Sequence, residues 1–144
     1  MELSDDAWCF ACGSENPHGL RLAFRMVGDD EIESEFVPSR QFQGFSGILH
    51  GGIMALLLDE VMVNLAWKKG LQAVSVELNV RLKKAVRTGQ KVILRGRITA
   101  EEKRVVRTGA EARLEDGTLV AEASGVCLRQ KGNAHAVHQP QSRR

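Results

Sequence analysis

The sequence predicts an α+β fold in which a curved antiparallel sheet of about six strands wraps around one long central helix. Two observations predict it. The stretch from His50 to Lys69 carries Ile53, Met54, Leu57, Leu58, Val61, Met62, Leu65 and Trp67, so that apolar residues lie on nearly every helical face. A helix of that kind must be buried. On either side of it stand segments where apolar and polar residues alternate with a period of two, the mark of strands with one inward face, two before the helix and four after it. A sheet curled over the helix buries it without a second helical layer.

Each element follows in order. Leu20, Leu22, Phe24 and Met26 alternate with Arg21, Ala23 and Arg25. After Gly28-Asp29-Asp30 the pattern resumes with Ile32 and Phe36 against Glu31, Glu33 and Glu35, which makes a hairpin. Residues 38–49 contain Pro38, Gly44, Ser46 and Gly47 and read as a loop. Lys68 and Lys69 suit the negative end of the helix dipole, and Gly70 is placed to end the helix. Val74, Val76, Leu78, Val80 and Leu82 then alternate with polar residues as a long strand with one face inward. Three more strands are expected near 90–100, 104–115 and 118–129, separated by Glu101-Glu102-Lys103 and Glu115-Asp116-Gly117. The chain thus divides into a Cys-containing lead-in (1–19), one domain (20–130) and a basic, disordered tail (131–144).

Composition narrows the classes of function. A chain of 144 residues fits one domain. The longest apolar run, Ile53 to Leu58, is far too short to span a bilayer, and residues 1–19 hold no basic leader followed by an apolar stretch. Three cysteines, an odd number, fit a reducing compartment, so a soluble cytoplasmic protein is expected. The net charge of +2 conceals an asymmetry: residues 1–80 hold five Lys/Arg against twelve Asp/Glu, and residues 81–107 hold ten against two. That basic block is either a solvated face or a landing area for an anionic ligand. With no Tyr, 5% aromatics and no basic helix, the chain lacks the stacking platform that nucleic-acid binding calls for.

Asp59 is the candidate for chemistry. It lies among Leu57, Leu58, Val61 and Met62, where an unpaired ionised carboxylate costs several kcal/mol, and such a charge suggests a working acid or base. His50-Gly51-Gly52, with Asp59 nine positions after the histidine, resembles the hotdog-fold acyl-CoA thioesterases of the phenylacetic-acid-degradation (PaaI-like) type. Val74-Ser75-Val76-Glu77-Leu78-Asn79-Val80 is similar to that family's strand after the helix, Thr88-Gly89 to its following turn, and Asp116-Gly117-Thr118-Leu119-Val120-Ala121 to its final hairpin. The resemblance covers residues 20–129. It implies a hotdog fold that hydrolyses an acyl-CoA thioester to a carboxylic acid and coenzyme A without cofactor or metal.

Helix spacing adds a step of its own. Eight residues separate Gly51 from Asp59, about 12 Å along one helix at roughly 1.5 Å per residue. One carbonyl cannot touch both, so if both act on one thioester they come from different subunits, which predicts a homodimer with composite sites. The resemblance implies the same arrangement, with a dimer of dimers as a further possibility.

In that chemistry the Gly51 N–H, at the positive end of the helix, stabilises charge on the carbonyl oxygen. Asp59 activates water or attacks directly. His50 orients the glycine turn or contacts the thioester, and Ser75 matches a position that helps place the water or carbonyl. Gly44 stands where relatives often carry Asn or Gln, leaving Gln43 as a shifted substitute. Gly52 and Glu77 are further candidates for substrate contact. Coenzyme A, with about four negative charges, makes the basic block interpretable. The resemblance assigns its binding to Lys83, Lys84 and Arg87 and to Lys103 and Arg104. A non-catalytic acyl-CoA-binding protein and an enoyl-thioester hydratase or dehydratase remain as alternatives.

Cys9-Phe10-Ala11-Cys12-Gly13 supplies two thiols two residues apart, half of a tetrahedral zinc site. No second Cys pair follows, and His18 and Cys127 would be an improvised remainder, so a packed turn over the edge or mouth of the fold is expected there.

Overall fold

In the computed structural model, which describes residues 2–130, the alternating segments form six strands and the apolar segment one helix. The strands are β1 (Phe24–Gly28), β2 (Glu31–Phe36), β3 (Ala73–Leu82), β4 (Val92–Glu102), β5 (Val105–Leu114) and β6 (Leu119–Arg129); the helix is α1 (Gly51–Lys68). They make one antiparallel sheet in the order β1-β2-β4-β5-β6-β3. This is the hotdog arrangement, with α1 held against one face.

The helix is seated by its widest apolar side chains. Leu57, Leu58, Val61 and Leu65 are fully buried, as are Ile32, Val92, Leu94 and Val120 from the sheet. Each contributes about 1.5–3 kcal/mol of burial. The helix backbone also comes very close: a β-carbon on Gly96 would stand 3.1 Å from the Val61 carbonyl oxygen and 3.1 Å from a methyl of Ile32. A side chain at that point would lift α1 off the sheet. At the far end, Gly70 takes φ +79° while its N–H and that of Leu71 close on the carbonyls of Trp67 and Ala66, a capped stop.

Several expectations shift. Leu20 and Leu22 are buried, yet the strand starts only at Phe24: Arg21 adopts φ +53°, and the N–H groups of Leu20 and Leu22 bond to the carbonyls of Phe10 and Ala11. The alternation there serves to stitch the lead-in to the core. The β4–β5 turn falls at Lys103-Arg104, after Glu101 and Glu102, with Lys103 at φ +45°. The helix is not buried all round, because the sheet covers one side and leaves Ile53, Leu56, Val63 and Trp67 half-buried. The basic tail at 131–144 lies outside the described residues.

Among the described residues β3 pairs only with β6 and so forms one edge of the sheet. It is ten residues long and, against the inward face expected from its alternation, exposes Val76, Leu78 and Leu82 at 55%, 40% and 57%, because an edge strand has a neighbour on one side only. A long edge strand with apolar side chains in water is a ready surface for another strand.

Candidate active site

The loop before α1 is fixed on both sides. His50 N–H bonds to the Phe42 carbonyl and Leu49 N–H to the Val86 carbonyl, while Ile48 bridges Arg87. His50 then caps the helix: its Nδ1 accepts the Gly52 N–H at 2.8 Å. The cap occupies His50 Nδ1 and engages the Gly52 N–H. The neighbouring Gly51 N–H has no acceptor among the described residues. Gly51 borders a cavity of about 280 Å³ whose apolar side includes Phe45, Ile48, Met54 and Leu82, with Lys83 and Lys84 on its rim. A helix N-terminus with a free donor beside an apolar hollow suits a polar group carried on an apolar chain.

Gln43 is already engaged: its Oε1 accepts the Gly47 N–H at 3.1 Å and closes the loop. Gly44 packs against His50, where a β-carbon would meet the imidazole Cδ2 at 3.2 Å. A side chain at Gly44 would press on the capping His50, which would have to give by a few tenths of an ångström, and Gln43 is committed to holding the loop.

Two turns along the helix, Asp59 faces β3. Its Oδ1 is buried and without a hydrogen-bond partner among the described residues. Burial pushes the carboxyl above the ordinary aspartate range, and the Ser75 hydroxyl, which faces it, pulls the other way. Ser75 lies opposite Cys127 in the β3–β6 register, and the Cys127 thiol is raised first by burial and then by the Asp59 charge. Asp59, Ser75 and Cys127 thus lie near one another where α1 meets the start of β3.

The remaining candidates divide by the ends of β3. Leu82 packs against Gly51, so Lys83 and Lys84 follow directly at that end; both are exposed, and Lys83 reaches Glu122 at 3.5 Å. Arg87 is exposed one turn beyond. Lys103 and Arg104 are also exposed, but their carbonyls accept from Arg129, which pairs with Ala73 at the start of β3. Within one chain they lie away from Gly51. Glu77 is exposed on the β3 edge, just past a bulge that follows Ser75.

The sequence reading missed Glu60. It turns away from Asp59's neighbours on β3 toward the lead-in, where the Cys9 sulfur lies 3.8 Å from its Oε1. Asn64, one turn on and 6% exposed, donates to Glu60 Oε1 at 2.8 Å. Burial pushes the Glu60 carboxyl up to about 7, whereas the Cys12 thiol, pointing at Cys9, draws the latter's pKa down to about 5 and has its own raised. A polar pair at i and i+4 in an otherwise apolar helix was the available signal.

A sequence model of the thioesterase superfamily matches residues 46–121 of this chain. The chain belongs to that superfamily. Its matched region runs from the loop before α1 into β6, so both the Gly51 end of the helix and Asp59 fall within it. No curated protein matches the chain in sequence. Among solved structures, a thioesterase superfamily protein superposes with a TM-score of 0.80 at 22% identity, covering 89% of this chain and 67% of its own. A phenylacetic acid degradation-related protein of Ralstonia eutropha is 25% identical, with a TM-score of 0.69 over 76% of this chain and 85% of its own. A hypothetical thioesterase of Streptococcus pneumoniae, solved with coenzyme A, has a TM-score of 0.72 at 15% identity, covering 76% and 85%. The Ralstonia protein agrees with the PaaI-like resemblance, and the Streptococcus protein, which itself binds coenzyme A, shares the fold. No helix among the described residues is long and apolar enough to cross a membrane.

Proposed function

We propose that this superfamily member is an acyl-CoA thioesterase whose active sites are shared between two copies of the chain. The observation that carries the reading is Asp59: a carboxylate oxygen buried without a partner, on the same helix whose first N–H is free beside an apolar cavity. A protein does not keep such an oxygen for stability. The acyl chain occupies the cavity, Lys83 and Lys84 meet the phosphates, and the Gly51 N–H polarises the thioester carbonyl.

Asp59 then takes a proton from water as the water oxygen attacks the carbonyl carbon, and Ser75 holds that water. The tetrahedral oxyanion collapses, the carbon–sulfur bond breaks, and the departing thiolate takes the proton held by Asp59 to leave as coenzyme A, which returns Asp59 to its carboxylate. Direct attack by Asp59, giving an anhydride that water opens, has the same overall balance. A carboxyl raised by burial is the stronger base for the first route.

Two subunits resolve the spacing. Leu82 of β3 packs beside Gly51 and Ser75 of β3 faces Asp59, so the two halves of the chemistry sit at opposite ends of one exposed edge. Pairing β3 antiparallel with a second β3, centred near Leu78-Asn79, sets each Ser75 end beside the other copy's Leu82 end. The same pairing carries Lys103 and Arg104 toward the other copy's Lys83 and Lys84, and one basic mouth results.

The test is hydrolysis of short, medium, long and aryl acyl-CoA esters by the wild type and by Asp59→Ala. Turnover of at least one class, with kcat reduced roughly a hundredfold or more in the variant, is expected. Undiminished turnover in the variant removes Asp59 from the chemistry; tight ligand binding without turnover, or hydration of enoyl-CoA instead, overturns the thioesterase reading.

A further inference from the structure

We propose that Cys9, Cys12 and Glu60 form a binding site for a thiophilic divalent cation of the zinc class, which ties the N-terminal lead-in to the central helix. The two sulfurs and a Glu60 carboxylate oxygen all lie within 4.8 Å of one another. In a tetrahedral zinc site, with Zn–S about 2.3 Å and Zn–O about 2.1 Å, a sulfur and an oxygen ligand stand roughly 3.6 Å apart. The Cys9 Sγ to Glu60 Oε1 separation is 3.8 Å. The donors are therefore already near the spacing that one shared cation requires.

The lead-in is folded to present its thiols. Gly13 N–H bonds to the Cys9 carbonyl at 2.8 Å and Glu15 N–H to the Ala7 carbonyl at 3.0 Å, closing a tight knuckle over Cys9-Phe10-Ala11-Cys12. The backbone N–H groups of Cys12 and Ala11 help to lower the Cys9 pKa, the kind of donor that steadies a metal-bound thiolate. Gly13 has no alternative: a β-carbon there would lie 2.5 Å from both the Ala7 carbonyl and the Cys9 nitrogen. Leu20 and Leu22 then anchor the segment through Phe10 and Ala11.

Glu60 is held from the other side. Buried Asn64 donates to its Oε1 at 2.8 Å and to its backbone carbonyl at 2.9 Å, fixing the carboxylate toward the lead-in. A ligand held by an outer hydrogen bond is how proteins build metal sites. Two thiolates and one carboxylate select zinc-like ions over magnesium or calcium, and exposed Cys9 leaves the fourth position open to water. Because Glu60 follows Asp59 directly, the cation would fix the helix at the turn that carries the candidate catalytic carboxylate.

The test is spectroscopic and independent of thioester chemistry. Reduced, metal-free full-length protein is titrated with Co²⁺ and then with Zn²⁺. One cobalt per chain is expected, with tetrahedral d–d bands and a thiolate-to-cobalt charge-transfer band that zinc abolishes. Cys9→Ser and Cys12→Ser each reduce the charge-transfer band, Glu60→Gln weakens cobalt binding roughly tenfold or more, and Cys127→Ser leaves the spectrum unchanged. Absence of a charge-transfer band in the wild type overturns the proposal, as does a band that persists when both Cys9 and Cys12 are serine. Because the wild-type spectrum stands by itself, misfolding of a variant does not rescue it.

Discussion

A δ-methyl of Leu82 stands 2.8 Å from where a β-carbon on Gly51 would sit. The end of β3 therefore covers the first helical residue so closely that only glycine fits beneath the leucine in its present position. Leu82 is 57% exposed, and its side chain is free to swing away. Gly51→Ala should thus cost little stability, since alanine favours the helix by up to about 1 kcal/mol and the leucine yields. What changes is access to the N–H. The expected outcome is a fall in kcat/KM of roughly tenfold or more, with a melting temperature near that of the wild type. Unchanged kinetics would show that a β-carbon at this position does not stand in the path of the reacting carbonyl.

Asp59 carries the opposite balance. Its unpartnered, buried oxygen and its raised pKa mean that the folded state disfavours the charge. Asp59→Asn keeps the shape and removes the charge, so the variant should unfold at the same or a higher urea concentration than wild type at pH 7 while losing roughly a hundredfold or more in kcat. A stability loss equal to that of a buried apolar truncation would mark Asp59 as a structural residue.

How much of this was legible before folding depended on distance along the chain. The α1–β3 unit was readable because its signals are local: apolar periodicity, a capping histidine and glycines within one helix, and strict alternation from Val74 to Leu82. The same local rule misread Leu20 and Leu22, where buried leucines alternate but the backbone turns at Arg21 to meet the lead-in. Gln43 shows a second limit, since its engagement with Gly47 depends on how one loop closes. The Cys9–Cys12–Glu60 cluster was hidden for the plainest reason: 47 residues separate Cys12 from Glu60 in the chain, and only the wrapped lead-in brings them together.

Glu33 governs an acid-sensitive share of stability. It sits in β2 opposite Arg25 of β1 and Arg95 of β4, with both guanidinium groups 2.6 Å from its carboxylate. Arg95 first, then Arg25, holds its pKa below the ordinary glutamate value. Because the folded pKa is the lower one, this stabilisation is fully present above the unfolded-state value and fades as pH falls through the folded one. Urea midpoints for wild type and Glu33→Gln should therefore differ at pH 7 and converge as the solution is acidified below pH about 4. A gap of constant size across that range would show that the Arg–Glu–Arg ladder acts through packing alone.

The exposed edge of β3 makes the composite site testable by mixing. If each site takes Gly51 from one copy and Asp59 from the other, a mixed dimer of Asp59→Ala and Gly51→Ala has one site with both groups intact and one with neither. Two impaired proteins, unfolded together and refolded, should then give activity above either alone, approaching about a quarter of the wild type when the copies assort at random. Sites contained within single chains predict only the average of the two variants. Leu78→Lys provides the companion measurement, placing a charge at the centre of the edge, where it would face its own counterpart. Sedimentation should report monomers for that variant, with thioesterase activity lost and the circular dichroism of the folded chain retained. A dimer that survives the lysine would move the interface away from β3 and break the geometric link between Gly51 and Asp59.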